Sequence, residues 1–119
     1  MIYKQVIVMR RDINMRRGKE IAQGSHASLT SGLIAIALKP VWFLKWFLLQ
    51  GQRKICCQVQ TEDEIKALEL AASKKGLPVM MIVDSGTTEF GGKPTITCIA
   101  IGPAPAAEID EITKSLKLY

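Results

Sequence analysis

The sequence predicts a single α/β domain with a sheet covered by helices on both faces, and three observations lead to it. Its 119 residues leave room for one core, since compact domains most often run to roughly 100 to 150 residues. Its 48% hydrophobic and 23% charged residues belong to a folded chain rather than a disordered one. Short apolar runs alternate with stretches of three-to-four periodicity along the whole length, with no internal repeat or low-complexity linker, and that alternation marks an α/β fold. Ligand sites in such folds gather at strand ends and in the loops that follow.

Residues 4–10 (KQVIVMR) predict a first strand buried on both faces. After the polar turn RDINMRRG, the run GKEIAQGSHASLTSGLIAIALK repeats small or apolar residues at Ala22, Ser25, Leu29, Gly32, Leu33 and Ile36, the spacing of a helix. Pro40 ends or bends it. A second short helix is expected over 41–50, stopping near Gly51, and KICCQV at 54–59 predicts another strand. Thr61 is placed as an N-cap, with acids in the first turn of TEDEIKALELAASKKG, basic residues in its last turn and Gly76 beyond, which meets the capping and dipole preferences of a helix. Residues 78–83 predict a third strand, DSGTTEFGGKP a glycine-rich loop, and 95–101 a fourth strand followed by a proline-started final helix in GPAPAAEID.

Charge is uneven. Residues 1–54 hold ten Lys and Arg against two acids, and residues 55–119 hold six against nine, so the net +5 resolves into +8 and −3. A basic half suits a polyanion, because phosphates neutralised by Lys and Arg release counterions; a solvated basic surface is the plain alternative. The three cysteines, two of them adjacent, lack metal-ligand spacing and fit a reducing compartment. The opening MIYKQVIVMRRD has no apolar core or cleavage site of a signal peptide, so a cytoplasmic location is expected. The apolar stretch 33–50 is interrupted by Lys39, Pro40 and Lys45, whereas a spanning helix needs about 20 apolar residues in succession. It predicts two helices and no membrane partner, with Trp42, Phe43, Trp46 and Phe47 serving as core or partner-facing packing in preference to an interfacial anchor. The same cluster is a candidate homodimer contact.

Two constellations could carry chemistry. Lys19, Gln23 and His26, at offsets of four and seven residues, fall within roughly 60° of a helix's circumference. One face thus offers a cation, an amide and the chain's one histidine, a set suited to ester chemistry or RNA binding; solvated Lys19 and Gln23 with a structural His26 is the alternative. Asp84 ends an apolar strand and opens a loop with Ser85, Gly86, Thr87 and Thr88. Its carboxylate could orient water or a lysine, or simply form an Asx-turn with its own loop. A Gly-x-Ser-x-Gly elbow, a Walker loop and a dinucleotide fingerprint are all missing from the sequence, so no cofactor is expected, and one histidine with dispersed acids predicts no metal site.

The segments VIVMRRDINMRRGKEIAQGSHAS, GQRKI, LPVMMIVDSGTTEF and TITCIAIGPAPAAEID, with LKLY at the end, together resemble the type II peptidyl-tRNA hydrolases over essentially the whole chain. Gly18-Lys19, Ala22-Gln23 and Ser25-His26-Ala27 match successive motifs of that family. The resemblance implies a three-layer α/β/α domain around a four-stranded mixed sheet with its last strand antiparallel to the others. It also implies cofactor-free hydrolysis of the ester that joins a peptide to the terminal ribose of tRNA. Carried over by position, it assigns Lys19, Asp84, Thr88 and Thr97 to the active site, with His26 and Gln23 close by. Independently of the resemblance, Arg10, Arg11, Arg16, Arg17 and Lys19 cluster around one strand-to-helix junction, and this basic turn, Arg16 and Arg17 above all, is expected to face the phosphates of the substrate. The family loop reads Asp-Ala-Gly-Arg-Thr where this chain has Ser85 and Thr87, and Arg16-Arg17 replaces the family's Gly-Lys. The loop before Thr97 is one residue longer. A catalytically weak RNA- or protein-binding module of the same fold, and an esterase for another aminoacyl-type ester, stay open on sequence alone.

Overall fold

The computed structural model describes residues 1–86 and 90–119. The chain runs β1 (Tyr3–Arg10), α1 (Arg17–Leu38), α2 (Pro40–Leu44) continuing into a π-helical turn (Lys45–Leu49), β2 (Lys54–Val59), α3 (Glu62–Lys74), β3 (Val79–Asp84), β4 (Thr95–Pro105), α4 (Ala106–Thr113) and β5 (Lys117–Leu118). The strands form one mixed sheet in the order β3-β4-β1-β2-β5. β1 and β2 are parallel, while β4 lies antiparallel between β1 and β3.

The sheet therefore has five strands where four were expected. The extra one is the two-residue β5, which pairs Leu118 with Cys57 and Lys117 with Gln58 on the edge of β2. Two residues carry no periodicity, so only the ladder reveals them. The proline-started helix was also placed early: β4 continues to Pro105 because Ala104 and Pro105 pair with Lys4 and Tyr3 across a register shift.

Side-chain alternation along β1 makes two cores. Val6 and Val8 join Ile65 and Leu68 of α3 and Ile109 of α4 on one face. Met9 joins Ala27 of α1 with Cys98 and Ala100 of β4 on the other. α3 begins as expected, with the Thr61 hydroxyl accepting from the Glu64 N–H at 3.2 Å.

α1 seats differently from its apolar pattern. Its buried stripe is Glu20, Gln23, Gly24, Ala27, Ser31, Gly32 and Ala35, whereas Ala22, Ser25, Leu29, Leu33 and Ile36 face outward. Small residues let the helix settle close to the strands, and a Cβ at Gly24 would already sit 3.5 Å from Met9 Cε. Polar groups complete that contact: Gln5, fully buried, donates through Nε2 to Ser28 O at 3.0 Å and Gly102 O at 3.2 Å. Ser28 Oγ donates to Gln5 Oε1 at 2.5 Å, and Ser31 Oγ to Gly102 O at 2.5 Å. Every one of these buried polar atoms is thereby partnered, as burial requires.

Truncating the fully buried Ile65 to Ala should lower stability by about 2–5 kcal/mol, while Leu70→Ala on the exposed face of α3 should change it by about 0.5 kcal/mol or less. Urea unfolding of the two variants checks the orientation of α3.

Candidate active site

α1 and the end of β3 meet at the site. Lys19 and Gln23 are one helical turn apart, both turned toward Asp84, the last residue of β3. Lys19 Nζ lies 2.7 Å from Asp84 Oδ1, and the two side chains are only 16% and 10% exposed, so the ion pair is largely withdrawn from water. Gln23 Nε2 approaches the same oxygen at 3.5 Å, the outer limit of a hydrogen bond. Asp84 Oδ2 accepts from the Gly86 N–H at 2.9 Å. The Asx-turn and a contact with a lysine, posed as alternatives from sequence, thus coexist, each using one carboxylate oxygen.

Gly86 makes this turn possible. Its φ is +82° and a Cβ there would fall 2.1 Å from Lys93 O, a clash that no side chain survives. Gly92 N–H closes the loop by donating to Gly86 O at 2.7 Å.

Beneath the pair, Thr97 of β4 is fully buried and its Oγ1 donates to Gln23 Oε1 at 2.7 Å. With its oxygen occupied, Gln23 must present its amide nitrogen to Asp84. The Gln23 carbonyl accepts from Cys98 Sγ at 3.3 Å, and burial pushes that thiol up to about 12, so Cys98 stays protonated and is no nucleophile. Asp84 moves the opposite way: the Lys19 ammonium, then the Gly86 N–H, hold its carboxyl below the ordinary value of 3.8.

Of the residues singled out from sequence, Lys19, Gln23, Asp84 and Thr97 come together. His26 does not. It is exposed and makes no hydrogen bond to these four residues among the described ones. At about 100° per residue it nearly shares the angular position of Lys19, but it lies two turns, or about 10 Å, further along the helix axis. Thr88 falls outside the described residues. Arg16 and Arg17 are exposed at the start of α1, but the neighbouring arginines are committed inward. Arg10 grips Asp12 at 2.7 and 3.1 Å and donates to Ile96 O at 3.2 Å. Arg11 lies 4.0 Å over the Tyr119 ring and 3.2 Å from Glu20 Oε2. That Glu20 cluster, sealed by the Tyr119 hydroxyl donating to Oε1, was missed because an acid in a helix's first turn reads as a surface residue. Cys98 and Gly86 were also missed; the positive φ that Gly86 needs was the one signal available.

Residues 3–119 match the family model described as peptidyl-tRNA hydrolase PTH2. The chain belongs to this family. It is 41% identical over 116 residues to the peptidyl-tRNA hydrolase of Thermococcus onnurineus, covering 98% of this chain and 97% of that one. A protein of the same name from Staphylothermus marinus is 43% identical over 116 residues, covering 98% and 94%. The probable peptidyl-tRNA hydrolase 2 of Schizosaccharomyces pombe is 40% identical over 98% of this chain, which spans 56% of its length. A solved structure of a protein of unknown function from Agrobacterium tumefaciens superposes with a TM-score of 0.59 at 9% identity, covering 100% of this chain and 99% of that one, and so shares the fold.

Because Asp84 has a depressed folded-state value, its ionised form contributes stability that is present above the unfolded-state value and lost as pH falls through the folded one. The stability difference between the PTH2 protein and Asp84→Asn should therefore be largest at neutral pH and shrink only below about pH 4. Thermal midpoints measured down the acid range test this, and a difference independent of pH would show that the carboxylate's charge stabilises nothing.

Proposed function

We propose that Lys19 and Asp84, with Gln23 and Thr97 behind them, form the hydrolytic centre for the ester of peptidyl-tRNA. The observation that carries the proposal is the shielded Lys19–Asp84 ion pair at a strand end in a chain of the peptidyl-tRNA hydrolase PTH2 family. In the reaction, water adds to the ester carbonyl carbon and the bond to the ribose oxygen breaks. The ribose hydroxyl takes up a proton, leaving free tRNA and a peptide carboxylate.

Lys19 is the electrostatic donor. An ammonium held in a partly desolvated site stabilises charge that develops on the carbonyl oxygen or on a neighbouring phosphate. Asp84, held ionised by its partners, is a poor match for proton abstraction at neutral pH, where an efficient base has a value near the operating pH. Its role is to orient Lys19 and an attacking water. Thr97 and Gln23 are positioning residues, since Thr97 is buried beneath the amide it fixes. Thr88 is assigned by resemblance alone. Arg16 and Arg17 extend the site toward the phosphates of tRNA, and a tRNA substrate fits a cytoplasmic role in translation.

With N-acetylated aminoacyl-tRNA as substrate, release of free tRNA should proceed in the presence of a chelator. Lys19→Ala should lower turnover about 10²- to 10³-fold, the usual range for removing one electrostatic donor, with Asp84→Asn falling alongside it and His26→Ala close to the parent. Folded Lys19→Ala and Asp84→Asn proteins that both keep normal turnover would overturn the assignment.

Neutralising Arg16 and Arg17 together should weaken tRNA binding irrespective of sequence and shallow the salt dependence by up to about 0.9 per lost phosphate contact. Titrations at several salt concentrations read this slope, and an unchanged one would place both arginines outside the RNA interface.

A further inference from the structure

Lys19 is the third residue of α1, in a first turn that its own sequence does little to hold. Arg16 at the N-cap makes no side-chain hydrogen bond to the turn, so the usual Ser, Thr, Asp or Asn cap is missing. Gly18 is the second helical residue, and glycine weakens a helix through its backbone freedom. Helix ends so built fray, yet the 2.7 Å ion pair with Asp84 needs Lys19 at a fixed place.

The next residue restrains the turn. Glu20 lies about 100° around the axis from Lys19 and faces Cys56 of β2 and Tyr119 instead of Asp84. It is 7% exposed. Its Oε1 accepts from the Tyr119 hydroxyl, while Oε2, 3.2 Å from Arg11 Nε, gains charge attraction without hydrogen-bond geometry. Both partners are themselves tied to β2: the Arg11 N–H donates to Val59 O at 2.9 Å and the Tyr119 N–H to Cys56 O at 3.0 Å. The Arg11 guanidinium closes the cluster, 4.0 Å over the Tyr119 ring. Its hydrogen bond to Glu20 pushes the Tyr119 hydroxyl above its ordinary value, which keeps that group a donor. Withdrawing a carboxylate from water is costly, and an apolar side chain would fill the same place without that cost. An apolar contact can slide, however, whereas a buried acceptor loses its partner as soon as it moves.

We infer that Glu20 and Tyr119 are positioning residues for ester hydrolysis: the Tyr119 hydroxyl grips Glu20, fixes the first turn of α1 on β2, and so holds Lys19 within reach of Asp84. The inference rests on Lys19 being the electrostatic donor of the site. Both residues act through the backbone of the turn, where a misplacement of about 1 Å is enough to cost about 10²-fold in rate.

The test compares the full chain with Tyr119→Phe, which removes one oxygen and keeps the ring beneath Arg11, and with Glu20→Ala. On N-acetylated aminoacyl-tRNA each should lower kcat about tenfold, the usual scale for losing a hydrogen bond to a charged group, with KM changed less than about twofold. Amide hydrogen exchange at residues 20–22 should quicken about tenfold in the same variants, while the middle of α1 keeps its protection. In a Lys19→Ala background, Tyr119→Phe should bring no further loss, because both changes remove the same placed ammonium. Tyr119→Phe carries the test alone should Glu20→Ala fold poorly. Normal kcat in Tyr119→Phe beside an impaired Lys19→Ala would overturn the inference and leave the site reading intact. So would a loss that multiplies with that of Lys19→Ala, a rise in KM at constant kcat, or a fall in kcat with exchange at 20–22 unchanged. Normal turnover in Lys19→Ala would instead overturn the reading of the site, and this inference with it.

Discussion

The close seat of α1 on the sheet is the constraint from which the rest of the architecture follows. Larger side chains on the contact face would hold the helix further from the strands, because the separation of packed elements is set by the side chains between them. Here Gly24, Ala27, Ser31, Gly32 and Ala35 form the contact, and Gln5 bridges Ser28 and Gly102 beneath it. Buried polar atoms tolerate little slippage, because each lost partner leaves a desolvated donor or acceptor. The helix is thus fixed in both rotation and translation. Its rotation aims Lys19 and Gln23 at the end of β3, and the same rotation turns Leu29, Leu33 and Ile36 outward.

One helix consequently divides the molecule into two chemical environments. On its β3 side the charges are paired and shielded, and Thr97 fixes the amide of Gln23, which in turn addresses the carboxylate of Asp84. On its β2 side lies an apolar groove walled by Leu29, Leu33, Phe43 and Phe47, with Lys39, Lys45 and Lys54 seated over aromatic rings beside it. Placing a paired carboxylate beside a lysine lowers the carboxylate's affinity for protons and keeps both groups charged. That arrangement favours electrostatic stabilisation over proton shuttling, and it gives the exposed His26 no part in the network.

Much of this was legible in the sequence, and the limits have physical causes. The helix and strand order could be read because Val- and Ile-rich runs and capping residues such as Thr61 act locally. Lys19 and Gln23 could be paired because four residues is one helical turn. The inward face of α1 could not be read, since hydrophobic periodicity rewards Leu29 and Ile36 and overlooks Gly24 and Ser31, whose value lies in how closely they permit approach. β5 was hidden because two residues have no pattern. The commitment of Arg10 to Asp12 and Ile96 O, and of Arg11 to Glu20 and Tyr119, was hidden because a run of arginines looks alike whether it faces solvent or the protein. Membership of the PTH2 family rests on whole-chain similarity and needed none of these details.

The strand order has a bearing on synthesis. β4, the last of the long strands to be made, lies between β3 and β1, so β3 has no neighbour in the sheet until β4 inserts. Asp84 sits at the end of β3, and the threonine that orients Gln23 sits on β4. Pairing across such long sequence separations forms slowly and only after the intervening chain is present. A growing chain emerging from the ribosome can therefore build α1 with its lysine in place while Asp84, Gln23 and Thr97 stay apart, and the network that joins them is completed by the closing strand rather than accumulating along the way.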